Sequence, residues 1–411
     1  MACAGTQAAD AAPRVGSAGR NGMVLVTGMG RVTPIRIATD RPLLPVSVPG
    51  LPFAVAVTPD GSQAFVASFT RDGVGLVTPI RMPNRIVGTP IEVPPQPVYV
   101  AVSPDGRTVY VASQIDGRNQ YPGRITPIDV ATGRAGRPIR VGIDPGPILF
   151  TPDSSKAYVL NYGFNSQGSG TYLTPIIVAT GRTGRPIPIP SSDGTDIAMT
   201  PDGRTVYVTG AVVPGPPPTG ASPGDGATGA IAAASGTAGN DTVPVAARPG
   251  RLIPISTVTD RAGKPIKLPG SPGALAISPD GRVAYVLDDL GPGSGRETAI
   301  PVGLATGQVG RPVRVGADSY LVAFTPDSRT AYVLDTTTVT PIRVADDSAG
   351  RSVKTARFPV AIAFTRDSRI AYVLGSAGIG PSFVVPITVA TDRAGWPIPV
   401  GRAATALAIT P

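Results

Sequence analysis

The side chains that most often carry out catalysis are scarce in this sequence. It contains no His and a single Cys, Cys3. Without an imidazole there is no Ser-His-Asp triad, no histidine metal ligand and no histidine acid or base. One Cys excludes an intrachain disulfide and a cysteine zinc cluster. These residue types favour a non-enzymatic protein, and we predict no catalytic residue and no cofactor.

Charged side chains are the first group that could still bind something. Six of them fall in short segments that each precede an apolar stretch: Asp144, Asp193, Asp196, Asp318, Arg357 and Arg402. Carboxylates that converge on one point could hold a cation, and calcium best matches oxygen ligands. The alternative, which the sequence favours, is that these charges are solvated, so no metal site is predicted.

Aromatic and amide side chains form the second group. They lie in two segments and include Asn119, Gln120 and Tyr121 in the first, and Asn161, Tyr162, Phe164, Asn165 and Gln167 in the second. Aromatic faces beside amide donors suit a sugar or a peptide. The alternative is that these rings pack against neighbouring parts of the fold. The predicted ligand-binding residues from both groups are Asn119, Tyr121, Tyr162, Phe164, Asp144, Asp193, Asp318, Arg357 and Arg402.

An internal repeat must position these groups. A motif apolar-x-apolar-[TS]-P-D-[GS] recurs at Pro59, Pro104, Pro152, Pro201, Pro279 and Pro326. A further copy has Arg366 in the proline position, and a truncated copy ends the chain at Thr410-Pro411. A period of about 45 residues is typical of four-stranded propeller blades, and no long stretch has the 3.6-residue period of a helix.

Each repeat contains four short segments that we predict to be strands. The P-D-G turn joins the first to the second, which carries an aromatic-Val pair such as Tyr110-Val111, and the third is marked by Pro-Ile or Pro-Val. Because proline has no N–H to donate to a ladder, we predict that pairing between third and fourth strands is interrupted near the proline. The fourth strands should then be short or irregular.

The P-D-G-x-x-x-Tyr-Val core, followed by a T-P-I third strand, resembles the β-propeller repeats of the YVTN family. These WD40-like repeats are familiar from bacterial surface-layer-type and secreted proteins. The resemblance covers about residues 23–411, and the chain departs from it in having proline in every third strand. It implies an all-β propeller in an extracellular or cell-surface location, with a cytoplasmic location as the alternative.

The two ends of the chain predict how the propeller closes. Residues 23–50 supply only second, third and fourth strands, and residues 403–410 supply only a first strand. We therefore expect a single closed ring of eight blades in which the C-terminal strand completes the N-terminal blade; seven blades are the alternative. Residues 1–22 are predicted to be a disordered tail. A flexible Pro/Gly/Ala-rich insertion is predicted at 209–250.

Loop variability indicates which face binds a ligand. The turns after first and third strands are short and uniform, whereas the loops between second and third strands differ in length; they are predicted at 113–124, 161–171, 209–250, 288–298 and 376–382. Binding residues concentrate on irregular loops held by a rigid scaffold. The face that bears the variable loops and the channel mouth is therefore the predicted binding face.

The function predicted from these observations is a binding or interaction scaffold. Its partner would be a protein, a peptide or a glycan. The alternatives are a lactonase-like propeller enzyme and a structural surface protein. The net charge of +9 suggests nucleic acid only weakly, because motif Asp residues lie among the Arg residues and no aromatics are interleaved for base stacking. No apolar run reaches the 18 residues of a membrane span.

Overall fold

The structure, a computed structural model, describes residues 22–114, 121–165, 168–189, 196–211, 250–289, 297–355, 358–376 and 378–411. Apart from Gly22, the predicted N-terminal tail lies outside these residues. So does most of the predicted insertion, residues 212–249. Every regular element within the described residues is a β-strand.

The strands form eight antiparallel blades around an axis, which confirms the predicted eight-bladed propeller. We number the blades by the chain order of their second strands. The innermost strands of blades 1 to 8 are Ala406–Ile409, Leu51–Val57, Pro97–Val102, Pro145–Phe150, Ile197–Met199, Ser271–Ile277, Leu321–Phe324 and Pro359–Phe364. The second strands are Met23–Gly28, Gln63–Phe69, Thr108–Ser113, Lys156–Asn161, Thr205–Ala211, Val283–Asp289, Thr330–Leu334 and Ile370–Gly375.

The outer half of each blade holds the third strand and an outer strand, which is divided in seven of the eight blades. The third strands are Arg31–Arg36, Gly75–Arg81, Pro122–Asp129, Thr171–Ile177, Gly250–Ser256, Glu297–Gly303, Thr338–Arg343 and Pro381–Thr388. The outer strands are Arg41–Pro42 with Val46–Ser47, Ile86–Val87 with Ile91–Val93, Ile139–Ile143 alone in blade 3, Arg182–Thr183 with Ile187–Ile189, Arg261–Ala262 with Ile266–Leu268, Gln308–Val309 with Val313–Arg314, Ser348–Ala349 with Val353–Lys354, and Arg393–Ala394 with Ile398–Arg402.

The third-strand proline divides the outer strand, as predicted. In blade 4, the Gly184 N–H donates to the Pro175 carbonyl over 2.8 Å. In an antiparallel ladder the carbonyl and the amide nitrogen of one residue face the same neighbour. The proline nitrogen therefore faces the outer strand and cannot return the bond. A Cβ on Gly184 would lie 2.8 Å from Pro175 Cγ, so the proline ring leaves no room for a side chain at this position of blade 4. In blade 1, Leu43 makes the equivalent bond to Pro34.

Both chain ends meet in blade 1, which confirms the predicted closure and excludes the seven-bladed alternative. The C-terminal strand Ala406–Ile409 pairs with Met23–Gly28. The Met23 N–H donates to the Thr410 hydroxyl over 2.8 Å, and the hydroxyl groups of Thr27 and Thr405 are 2.9 Å apart. The ring is closed by hydrogen bonds between residues almost 400 positions apart.

The hydrophobic core lies between adjacent blades. One buried cluster joins Val24 and Val26 of blade 1 to Tyr372 and Leu374 of blade 8, with Leu407 beside them. Seven further clusters repeat around the ring. Because each face of a blade is buried against its neighbour, the second strands have apolar side chains on both faces, which is why they contain runs such as Tyr-Val-Leu.

Hydrogen bonds between neighbouring blades reinforce the rim. The second-strand Tyr of one blade donates its hydroxyl to an Asp in the third-to-outer turn of the next blade. The four pairs are Tyr158–Asp260 at 2.5 Å, Tyr285–Asp347 at 2.5 Å, Tyr332–Asp392 at 3.0 Å and Tyr372–Asp40 at 2.6 Å. Each Asp has a φ between 51° and 53°, a left-handed conformation that Asp adopts more readily than most residues. We call these contacts the Tyr–Asp rim bonds.

Several predicted loop boundaries are wrong because the strands extend further than their apolar patterns. Thr205–Ala211 and Gly250–Ser256 include the first and last residues of the predicted insertion. The loop predicted at 161–171 contains a two-residue hairpin, Phe164–Asn165 paired with Gly168–Ser169. Third strands also begin earlier than expected, at Pro122 and Pro381. The variable loops are therefore shorter than the sequence suggested.

Candidate functional site

Two of the predicted binding residues meet where blade 4 reaches the channel mouth. Asp144 directly precedes the innermost strand of blade 4, and Tyr162 directly follows the second strand. The Tyr162 N–H donates to the Asp144 backbone carbonyl over 3.1 Å. The side-chain amide of Gln114, from blade 3, donates to the Asp144 carboxylate. The structure therefore joins one residue from the charged group to one from the aromatic group.

Asp196 lies beside them, directly before the innermost strand of blade 5. Its carboxylate accepts the N–H of Ile197 over 2.8 Å and the N–H of Leu275, in blade 6, over 2.9 Å. The Leu275 N–H is available because the register of that innermost strand shifts between Pro272 and Leu275. Burial raises the pKa of Asp196 to about 7, and the two N–H bonds only partly oppose this rise.

Two tyrosines complete the group. Tyr99, in the innermost strand of blade 3, is buried. Burial and the negative charge of Asp196 raise its pKa above the usual value. Burial raises the pKa of Tyr162 for the same reason, and the charges of Asp196, Tyr99 and Asp144 raise it further. We call Tyr99, Asp144, Tyr162 and Asp196 the channel-mouth cluster; its members come from three consecutive blades.

The cluster can act as a set of hydrogen-bond acceptors and donors. Burial also raises the pKa of Asp144, against the lowering effect of the Gln114 amide. Near neutral pH Asp196 exists in both protonation states, so it can accept or donate. The tyrosine hydroxyls stay protonated and can do both. Among the described residues, no set of three or more His, Cys, Asp or Glu side chains is arranged to hold a metal ion.

The other predicted residues lie apart from the cluster or outside the described ranges. Asp318 and Arg402 are exposed, and they precede the innermost strands of blades 7 and 1, across the ring from blade 4. Tyr121 is 59 % exposed, before the third strand of blade 3. Phe164 belongs to the short hairpin of blade 4. Asn119, Asp193 and Arg357 lie outside the described residues.

Two members of the cluster share one position of the repeat. Counted from the Thr or Ser that precedes P-D, Tyr99 and Asp196 both stand four residues earlier. The same position holds Ala54, Ala274, Ala361 and Ala406 in four other blades, Pro147 in blade 4 and Leu321 in blade 7, so a tyrosine or a carboxylate there departs from the repeat. Sequence analysis did not select Tyr99 or Gln114. Aligning the repeats would have revealed Tyr99, whereas nothing in the repeat distinguishes Gln114.

Comparison with known proteins supports the fold. No family profile matches the chain, and no curated protein is similar to it in sequence. Solved structures do resemble it: dihydro-heme d1 dehydrogenase NirN in complex with DHE has a TM-score of 0.67 at 17% identity, and the match covers 96% of this chain and 76% of that one. Hydrazine synthase from Kuenenia stuttgartiensis has a TM-score of 0.56 at 17% identity, covering 86% and 96%.

A third similar structure is apo AztD from Citrobacter koseri, with a TM-score of 0.57 at 13% identity, covering 94% of this chain and 97% of that one. Identities this low show a common propeller fold. Because the similar folds include enzymes, the fold alone does not distinguish an enzyme from a binding protein. Within the described residues, no helix is long and apolar enough to span a membrane.

Proposed function

We propose that this protein is a non-enzymatic binding propeller, built from YVTN-type repeats, that holds its ligand at the channel-mouth cluster. The observation that carries the proposal is the convergence of Tyr99, Asp144, Tyr162 and Asp196 at one end of the channel. The P-D-G turns at the other end are nearly identical from blade to blade. Irregular groups on a regular scaffold are typical of a binding site.

The chemistry of the cluster favours a ligand rich in hydroxyl groups, such as a neutral glycan. Sugar hydroxyls donate well to carboxylates, and tyrosine offers both a hydroxyl and an apolar ring. The carboxylates of Asp144 and Asp196 repel an acidic ligand when they are ionised. The exposed Tyr121, on the same face, provides a further aromatic surface. A basic peptide fits the same charges and is the competing ligand class.

A glycan and peptide array probed with the purified protein tests this proposal. The strongest hit is then titrated by calorimetry against Asp144→Asn and Tyr162→Phe. Hydrogen bonds to charged groups are worth roughly 1.5–3 kcal/mol, so Asp144→Asn should weaken binding by roughly tenfold or more. Tyr162→Phe should weaken it by a smaller factor.

Arg282→Ala is the matched control for these variants. Arg282 follows the P-D-G turn of blade 6 on the opposite face, and its side chain is 87% exposed. It should bind the array hit as the unmodified protein does. A hit whose affinity falls with Arg282→Ala and not with the cluster variants would place the ligand on the wrong face for this proposal. Binding to basic peptides alone would select the peptide class.

A lactonase-like enzyme is the second candidate, and the pKa of Asp196 is the observation that favours it. A carboxylate that titrates near 7 is suited to act as a general base or acid. The test is hydrolysis of a panel of lactones by the protein and by Asp196→Asn. An enzyme that uses Asp196 as a base would show a rate that rises with pH through about 7 and is lost in the variant. Absence of turnover by the protein would eliminate this candidate.

We also propose that the protein acts at the bacterial cell surface or outside the cell, where proteins with similar repeats are found. Surface labelling of intact cells with an impermeant reagent would test this location. Self-assembly of the purified protein into ordered arrays, seen by electron microscopy, would instead favour the structural role considered from the sequence.

A further inference from the structure

Two junctions between blades have the tyrosine of a Tyr–Asp rim bond without the Asp: Tyr110 faces Gly181, and Tyr207 faces Gly307. Tyr110 is the more deeply buried of the two. Tyr110 occupies the second strand of blade 3, in register with Pro127 as the other tyrosines are with their prolines. Its side chain is fully buried, and its hydroxyl has no hydrogen-bond partner among the residues that the structure describes. The turn of blade 4 that faces it has Gly181 where four other blades have Asp.

The missing carboxylate would fit at this turn. Gly181 has a φ of 66°, in the same left-handed region as the four rim Asp residues. A Cβ built on Gly181 would approach the Ile139 side chain, with its nearest atom, Cδ1, at 3.3 Å. That atom is the flexible end of a side chain, so a small rotation would accommodate the added group. With that rotation of Ile139 the turn has space for a carboxylate, and the chain does not supply one.

A groove of about 570 Å³ opens at this junction, with Tyr110 on its wall. Three arginines line it, Arg137 and Arg140 from blade 3 and Arg182 from blade 4, and no carboxylate is among its lining residues. None of the three guanidinium groups forms an ion pair with a described residue. At the next junction, by contrast, Lys156 lies 3.0 Å from the rim carboxylate of Asp260.

We propose that this groove binds a small polycarboxylate from solution. One carboxylate occupies the place that Asp fills at the four other junctions and accepts the Tyr110 hydroxyl. The remaining carboxylates pair with Arg137, Arg140 and Arg182. This site lies near the outer turns, on the face opposite the channel-mouth cluster, so it is independent of the function proposed above.

The size and charge of the groove determine the ligand class. Small-molecule sites typically enclose about 300–1,000 Å³, and this groove lies within that range. Arginine binds carboxylates through paired, parallel hydrogen bonds. A ligand with several carboxylates satisfies more of the three guanidinium groups than a single carboxylate does. A neutral or cationic ligand would leave the arginines unpaired.

Calorimetric titration with citrate, at low ionic strength, tests the proposal. Acetate and inorganic phosphate are the comparison probes. Citrate should bind at least tenfold more tightly than acetate, and its affinity should fall as salt is added because the attraction is partly screened. Phosphate binding as tight as citrate binding would overturn the assignment to carboxylates.

Three variants locate the site. Gly181→Asp places the chain's own carboxylate against Tyr110 and should weaken citrate binding by at least fiftyfold. Tyr110→Phe should weaken it by roughly tenfold, as expected for loss of one hydrogen bond to a charged group. Gly307→Asp adds the same charge at the equivalent turn of blade 6, opposite Tyr207, and should leave citrate binding unchanged.

The variants also separate a local effect from a folding defect. A thermal unfolding curve for each variant should show a cooperative transition, and Gly181→Asp should raise the melting temperature because it completes a rim bond. Equal citrate affinity in the unmodified protein and Gly181→Asp would overturn the proposal. So would equal weakening by Gly181→Asp and Gly307→Asp, or citrate binding no tighter than acetate binding.

Discussion

The junctions between blades differ in how their polar groups are matched, although their apolar packing is alike. At the junction of blades 6 and 7, the Tyr285 hydroxyl donates to Asp347 over 2.5 Å. At the junction of blades 3 and 4, the equivalent Tyr110 hydroxyl is buried with no hydrogen-bond partner in the described part of the chain. The tyrosine and the Asp that would accept its hydroxyl belong to different repeats. A repeat that has the tyrosine can therefore lack the Asp at its junction with the next blade.

The remaining junctions support this distinction. Blades 1 and 2 have Leu25 and Phe65 at the tyrosine position, and the turns that follow them have Arg85 and Gly133. Each of the four rim Asp residues therefore faces a tyrosine hydroxyl.

At the junction of blades 5 and 6, Tyr207 faces Gly307 and has no rim Asp. A carboxylate links these two blades near the axis, where Asp196 accepts the Leu275 N–H. Matched polar pairs are thus a property of neighbouring blades and not of single repeats.

Removal of residues 403–411 should have the largest effect, because it disrupts the junctions on both sides of blade 1. Blade 1 would lose its innermost strand and expose the edge of Met23–Gly28. We expect aggregation or loss of the cooperative transition, measured by size-exclusion chromatography and thermal unfolding. Deletion of residues 1–20 is the control and should leave unfolding unchanged. A truncated protein that remains monomeric and equally stable would show that closure contributes little.

The pH dependence of the free energy of unfolding should reveal the titration of Asp196, whose carboxylate links blades 5 and 6 near the axis. The pKa of Asp196 is about 7 in the folded protein, against 3.8 for the unperturbed group. Between these values the folded state keeps a proton that the unfolded state releases. The free energy of unfolding should therefore fall as pH rises from about 4 to 7, by up to about 1.4 kcal/mol per unit from this group.

Asp196→Asn should reduce that slope, since an amide does not titrate and its oxygen still accepts the Leu275 N–H. Denaturant unfolding at several pH values measures the effect. Asp144 and Asp392, whose pKa values burial also raises, leave a residual slope. The absence of His removes the usual competing titration from this range. An unchanged slope in the variant would show that Asp196 is ionised throughout.

Converting a matched junction into an unmatched one should have the next largest effect. Asp347→Gly removes the partner of Tyr285 at a position where glycine suits the backbone. Leaving a buried hydroxyl unpaired should lower the free energy of unfolding by about 2 kcal/mol. Asp347→Asn keeps an acceptor oxygen in place and should lose less than half as much. Equal losses in the two variants would assign the effect to the turn and not to the rim bond.

Removing the tyrosine hydroxyls should have the smallest effect and compares the two junctions directly. Tyr285→Phe loses a formed hydrogen bond and should lower the free energy of unfolding by about 1 kcal/mol. Tyr110→Phe loses none, so stability should stay within about 0.5 kcal/mol or rise. Urea unfolding of both variants measures the difference. Equal destabilisation would indicate that the Tyr110 hydroxyl has a hydrogen-bond partner in solution. Unfolding measured with and without citrate would then show whether that partner is a bound carboxylate.

Much of the architecture could be predicted because it depends on local patterns that the chain repeats. The spacing of the P-D-G turns predicted the blades, and the incomplete repeats at the two ends predicted the strand Ala406–Ile409 in blade 1. The proline of each third strand predicted the divided outer strand, since a missing N–H is a property of the residue itself. The boundaries of the insertion were wrong because backbone pairing extends Thr205–Ala211 beyond its apolar pattern.

The candidate site was predictable only in part. Asp144 and Tyr162 were selected from residue type and loop position, and the structure places them in contact. Their link to Tyr99 and Asp196 depends on how three consecutive blades pack, which no single repeat specifies. Gln114 contributes to the site through one hydrogen bond across a junction, and its repeat position carries no pattern that would identify it.

The sequence by itself determined the strands, the turns, the number of blades and the closure of the ring. These follow from hydrophobic alternation, turn chemistry and proline geometry, which act over a few residues and recur in every repeat. Only the tertiary structure decided which polar groups meet, because each blade junction combines residues from two repeats whose separation and rotation are set by side-chain packing. For that reason, the unpaired Tyr110 hydroxyl and the effects of the channel-mouth residues on one another's pKa values could be recognised only in the assembled ring.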